Sequence, residues 1–354
     1  LLSTISYLSM PGESLGKGPV GMMSFLALPV VFAIVGFGLL PVFMKHRVTS
    51  AYELLEHRLG VEIRILGAVM FVLLRLVWMS LLVYLTAKAL VIMMGLDEKW
   101  IPLIALIAGF VAVIYTSIGG LQAVVIIDFL RTILLFGGAL LVLATVTWHF
   151  GGLGWFPTTW HSNWDSQPVF SADPRTRVTM VGTFLSIVTW YVATSAGDQT
   201  SVQRFMATRD ATTARRALAT QLCVGGMVVI TLHLVGMALL SFYQANPGSL
   251  PADMSIKADA DKLFPRFVSF ELPIGVSGLV VAAMFATAMS SIDSGVNSIT
   301  AVVTTDFFDR LRQTPTSEKA NLRAVKFMAL GIGIIVVLGS TYMKYIPGNI
   351  TAVT

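Results

Sequence analysis

Residues 281–309 read VAAMFATAMSSIDSGVNSITAVVTTDFFD. Within them Thr287, Ser290, Ser291, Ser294 and Ser298 recur at i, i+3, i+4, i+7 and i+11. At about 100° per residue these five fall within about 100° of arc, so a helix here presents one row of hydroxyls on an otherwise apolar cylinder. Asp293 and Asn297, four residues apart, edge that row. A carboxylate at membrane depth is costly and marks a functional site by default. Hydroxyl, carbonyl and carboxylate oxygens are the donors that a small, hard cation takes. Serine and threonine also bond the carbonyls of their own helix or hold neighbouring helices together. The stripe leaves both readings open, an ion site and helix adhesion.

Working outward, the composition settles the class. The 354 residues are 55% hydrophobic and only 12% charged, with a mean hydropathy of +0.79. A soluble domain carries roughly 25% charged residues. A spanning helix needs ~20 predominantly apolar residues, and nine segments qualify: 1–14 (incomplete), 20–44, 62–94, 101–117, 121–148, 178–196, 217–242, 273–305 and 322–343. The expected fold is an all-α multipass membrane bundle. It is read as one transmembrane domain over 1–354, truncated at both ends because it opens on Leu1 and closes on Thr354.

The charge of +5 and pI near 9.4 do not point to nucleic acid, because the basic residues sit in short loops between apolar runs. Loops 45–64, 118–120, 197–216 and 306–326 hold thirteen of them, among them Arg64, Arg204, Arg215 and Arg310. The opposite set, including the long loops 149–177 and 243–272, holds eight. The positive-inside bias places the first set in the cytoplasm, and the expected location is the plasma membrane.

Soluble chemistry finds no foothold. The sequence contains no H-E-x-x-H, P-loop or G-x-S-x-G motif, and its five histidines lack ligand spacing. His233, inside an apolar run, reads as a hydrogen-bonded packing residue. The single Cys223 excludes a disulfide within the chain and a thiolate metal cluster. Neither an enzyme nor a resident cofactor is expected.

At the N-terminal end, LLSTISYLSMPGE carries Ser3, Thr4, Ser6 and Ser9 ahead of Pro11 and Gly12. Proline removes a backbone donor and glycine weakens a helical turn. Irregular backbone at membrane depth is tolerated where it lines a cavity, and broken helices there coordinate ions with freed carbonyls. A frayed end left by truncation explains the same residues.

These stretches carry a resemblance. STISYLSMPGE, VTSAYELLEHRLG, TSIGGLQAVVIIDFLRT, WYVATSAGDQTSVQRFMATRD and MSSIDSGVNSITAVVTTDF occur in this order, and together they resemble the sodium/solute symporter family. The resemblance implies a LeuT-type fold of two inverted five-helix repeats, of which core helices one to nine are present. It implies a sodium-coupled symporter importing a small polar solute (a sugar, carboxylate or amino-acid-like molecule) by alternating access. The same fold also serves as the sensory membrane part of signalling receptors, which is the alternative. By position, the resemblance gives a principal sodium site of the Leu2 and Thr287 carbonyls with the Ser290 and Ser291 hydroxyls. A second sodium in some members would lie at Asp128 with Ser290 and Ser294, where Asp293 stands in place of a hydroxyl. It further implies Ser6 as a solute contact and Tyr191, beside Trp190, as an aromatic closing the pocket.

Arg75 stands about 20 Å into the third helix at 1.5 Å per residue, too deep to snorkel comfortably. It must face a structural acid, a cavity or an anionic solute, and Trp78 shares its face. Asp198, Gln199, Gln203 and Arg204 in GDQTSVQR read as a cytoplasmic hydrogen-bond network.

Overall fold

The computed structural model describes residues 4–46, 50–166, 168–173, 175–176, 178–252, 254–308 and 318–343. Among them there is no strand. Helix α1 is Thr4–Gly16; a 3-10 stretch Pro19–Ala27 leads into α2 (Leu28–Ala33), a wide π turn (Ile34–Leu39) and α3 (Leu40–His46). Then follow α4 (Glu53–Leu59), α5 (Val61–Met93), α6 (Ile101–His149), α7 (Met180–Gly197) and α8 (Gln199–Met206). The chain continues through α9 (Ala211–Ala245), α10 (Ala260–Phe270) and α11 (Ile274–Val302), and α11 ends in a second π turn, Val303–Phe308. The last helix, α12, is Glu318–Tyr342.

The nine expected segments, so far as their residues are described, fall largely on helices, two of them on the single α6, and the protein is an integral multipass membrane protein. Six stretches among the described residues are long and apolar enough to cross a bilayer, and Ile274–Met284 of α11 is a shorter apolar helix.

Two expectations need correction. Helical backbone runs unbroken from Ile101 to His149, so no loop interrupts it at 118–120. Forty-nine residues at 1.5 Å each would reach ~73 Å, more than twice the hydrocarbon thickness, so the element cannot be one straight crossing. Its first half lies on α12, where Gly109 faces Val337, and its second on α11 and α1, where Gly138 faces Val280 and Tyr7. The second correction concerns α1, which stays helical through Pro11. Leu2 and Ser3 are outside the described residues. Gly12 has a packing reason instead, since a Cβ there would lie 2.5 Å from Asp261 Oδ1 and 2.9 Å from Asp261 Cα of the covering α10.

The two loop sets meet at opposite ends, as the charge bias requires. On one end, the Ser50 hydroxyl donates to Asp306 Oδ2 at 2.8 Å and the Ala51 N–H donates to Gln199 Oε1 at 2.8 Å. On the other, Ser241 Oγ donates to the Trp155 carbonyl at 2.8 Å and Lys257 pairs with Asp165 at 3.5 Å. The outer end also holds a helix that the sequence reading passed over as loop. In α10, Leu263, Phe264, Phe267 and Val268 are buried, and Phe264 meets Tyr7 of α1 edge to face with centroids 5.1 Å apart.

Candidate ion and solute site

Helix α11 packs against α5, α6 and α12. Close approach is achieved with small residues: Gly295 abuts Met79 of α5, and Gly339 of α12 abuts Ser80, whose hydroxyl donates to the Val336 carbonyl at 3.1 Å. Residues 287, 290, 291, 294 and 298 all lie within this single helix, so the hydroxyl row is one continuous face. The side chains of Thr287, Ser290 and Ser291 are outside the described residues.

The lower part of the row is described, and it faces α8. Asp198 caps α8 by accepting the Thr200 N–H at 2.8 Å. Val202 and Phe205 bury the apolar face of α8, which fixes the direction of Gln203 and Arg204. The Ser298 hydroxyl donates to the Ser294 carbonyl at 2.8 Å and lies 3.4 Å from Gln203 Oε1. Arg204 Nη2 donates to Ser294 Oγ at 2.9 Å and sits 3.3 Å from Asp128 Oδ2. On its other oxygen Asp128 pairs with Arg131, one turn along α6, and Arg131 also donates to the Ala286 carbonyl of α11. Burial lowers the Arg204 guanidinium from its ordinary value, with the neighbouring Asp128 carboxylate opposing that shift.

Asp293 is fully buried beside this cluster. Asn297, one turn further along the same edge of the stripe, has a buried Nδ2 with no hydrogen-bond partner among the described residues. An amide donor left unpaired in a low-dielectric interior costs on the order of 1–3 kcal/mol.

Arg75 is half-buried. Its Nη1 stands 3.5 Å from Asp198 Oδ2, a long ion pair, and its buried Nε has no hydrogen-bond partner among the described residues. The guanidinium therefore faces a structural acid without being saturated by it. Trp78 is half-buried against Leu82 and Leu85 on the same helix. Tyr191 packs in the cluster formed by Val31, Val35 and Leu218, whereas Trp190 is largely exposed. Ser6 is half-buried on α1, and the adjoining Tyr7 hydroxyl is buried with no hydrogen-bond partner among the described residues. His233 is buried, and its Nδ1–H donates to the Val229 carbonyl at 2.8 Å, a packing role.

Sequence reasoning missed one feature at this end. Arg64 and Asp306 form a buried ion pair, with Glu53 and Glu56 also on Arg64. The signal available was a carboxylate, Asp306, at the end of a membrane helix. Its partner lay in a loop counted only for its charge.

Comparison with known proteins assigns the class. The sodium:solute symporter family model matches residues 2–345, and the chain belongs to that family. It is 30% identical over 355 residues to the sodium/sialic acid symporter SiaT of Proteus mirabilis (strain HI4320), covering 97% of this chain and 68% of that protein. The sodium/sialic acid symporter NanT of Aliivibrio fischeri (strain ATCC 700601 / ES114) is 29% identical, over 97% of this chain and 66% of its own length. The chain thus spans about two thirds of these relatives. A solved structure, the substrate-bound outward-open state of a Na+-coupled sialic acid symporter, superposes with a TM-score of 0.81 at 27% identity. The match covers 97% of this chain and 72% of that one. These relatives are transporters, not enzymes.

Proposed function

We propose that the protein is a sodium-coupled symporter that imports an anionic sugar of the sialic acid class by alternating access. The relatives named for sialic acid support the solute, and Arg75 is the observation that carries it. A guanidinium inside a membrane protein, with its Nε unpartnered among the described residues and its described acid 3.5 Å away, suits a carboxylate approaching edge-on. Trp78, Ser6 and Tyr191 would supply an apolar wall, a hydroxyl and a closing ring around the sugar.

The sodium ion would bind where α1 and α11 face each other, through the Leu2 and Thr287 carbonyls and the Ser290 and Ser291 hydroxyls. Bound there it would tie the two helices together and favour the state that accepts solute. A ligand biases such an equilibrium only by its differential affinity for the two states. Solute must then tighten sodium as much as sodium tightens solute. Transporter relatives favour this reading over a receptor.

The test is sialic acid uptake into proteoliposomes holding the full-length protein under an imposed sodium gradient. Ser290→Ala and Ser291→Ala should each raise the sodium concentration needed for half-maximal uptake by tenfold or more, with expression unchanged. Unaltered sodium dependence in both variants would remove the ion from these residues. Uptake independent of sodium in the wild type would reject the coupling itself.

A further inference from the structure

We propose that the guanidinium of Arg204 is a tethered cation that holds the position between Asp128 and Ser294, leaving this protein with a single coupling sodium. The inference rests on the sodium-coupled reading above and fixes the number of ions. The position offers what a sodium wants, a carboxylate oxygen and a serine oxygen on facing helices. In this protein one nitrogen of Arg204 reaches both, at 3.3 Å from Asp128 Oδ2 and 2.9 Å from Ser294 Oγ. The Ser294 oxygen a metal would approach therefore already accepts an N–H.

Charge points the same way. Asp128 carries one negative charge and already has two guanidinium groups on it, Arg131 on Oδ1 and Arg204 on Oδ2. Arg131 is only 4% exposed and is also held by the Ala286 carbonyl, so it is a fixture of the α6–α11 contact. A sodium at Asp128 would be the third cation on one carboxylate, and in a poorly screened interior like charges repel strongly. Arg204 is held in place as well. Helix α8 is capped by Asp198, its Gln199 is fully buried and accepts the Ala51 N–H, and Gln203 reaches Ser298 one turn below Ser294. Ser290 and Asp293, the other two oxygen donors expected around a second ion, lie on the α11 turn directly before Ser294.

The experiment counts bound ²²Na⁺ per protomer on the purified full-length protein, with sodium alone as the probe. Arg204→Gln should bind one more sodium than the wild type, and Arg204→Gln with Asp128→Asn should lose that extra ion. Arg204→Lys, which keeps a cation, should match the wild-type count. No gain in a monodisperse Arg204→Gln protein overturns the proposal. If Arg204→Gln does not fold, Asp128→Asn alone decides: an unchanged count supports the tethered cation, and a count lower by one overturns it. A wild type that binds no sodium rejects the sodium-coupled reading. Even then, one ion gained in Arg204→Gln and lost again with Asp128→Asn supports the role of Arg204, and no gain overturns it.

Discussion

The Nε of Arg64 donates to Asp306 Oδ1 at 2.7 Å, joining the first turn of α5 to the π turn that ends α11, 242 residues further along the chain. Both side chains are buried, and the Ser50 hydroxyl occupies the second oxygen of Asp306 at 2.8 Å. Glu56 holds Arg64 from the other side at 2.5 Å. The cluster ties the loop before α4, the start of α5 and the end of the stripe helix into one unit at the cytoplasmic end. Any movement of α11 relative to α5 must break it or carry it along.

Removing one member of a buried pair leaves the other charge uncompensated, at a cost of about 3–5 kcal/mol. Asp306→Ala and Arg64→Ala should each lower the thermal midpoint of the purified protein by many degrees. The double variant should lose much less than the sum. Strictly additive losses in this double-mutant cycle would show that the pair is not an energetic unit.

Arg75 divides solute classes. Arg75→Lys keeps the charge but loses the planar fork, so it should weaken binding of sialic acid at least tenfold while hardly affecting its neutral methyl ester. The ester should already bind poorly to the wild type. Equal losses for acid and ester, accompanied by lower stability, would assign Arg75 to the Asp198 ion pair instead.

How far the sequence carried the reading depends on where each signal is stored. The hydroxyl spacing over 287–298 placed one helix and one face, because a periodic pattern is local and α11 has no break within it. Charge placement set the two ends, and Ser50–Asp306 and Asp165–Lys257 show the predicted loops meeting in the right groups. Helix α10 was hidden, since Asp261, Lys262, Pro265 and Arg266 make it look like loop although Phe264 and Phe267 are fully buried. The occupant of Asp128 was hidden for a different reason. Arg204 is 76 residues away, and only tertiary packing of the short α8 brings it there.

The start of α9 carries a pH-dependent term. Asp210 caps this helix by accepting the Thr213 N–H at 2.7 Å, and those hydrogen bonds hold its carboxyl below the usual range. A depressed folded-state value means that the contribution is complete above the unfolded value and is lost as pH falls through the folded one. Asp210→Asn still caps but does not titrate. It should flatten the acid side of the stability profile, measured as thermal midpoint between pH 6 and pH 3. An unchanged slope would show that the cap does not contribute to acid sensitivity.

The contact between α1 and α9 gives the sharpest steric test. A Cβ on Gly236 would lie 2.3 Å from the Pro11 carbonyl oxygen, 2.7 Å from Ser14 Cβ and 3.1 Å from the Leu15 nitrogen. Two of these are backbone atoms that cannot swing aside, and Ser14 is itself fixed by donating to the His233 carbonyl at 3.0 Å. Gly236→Ala must therefore push α1 away from α9, at the ~1–3 kcal/mol typical of overpacking or more. Because α1 would carry one wall of the sodium site, the same variant should also weaken sodium activation of uptake. Gly225, on the same helix, has open space where its Cβ would go. Gly225→Ala should gain up to about 1 kcal/mol from helix propensity and leave sodium dependence untouched. Thermal midpoints and sodium activation curves for the two variants decide the matter. If Gly236→Ala behaves like Gly225→Ala in both measurements, α1 does not rest on α9 as closely as this packing requires.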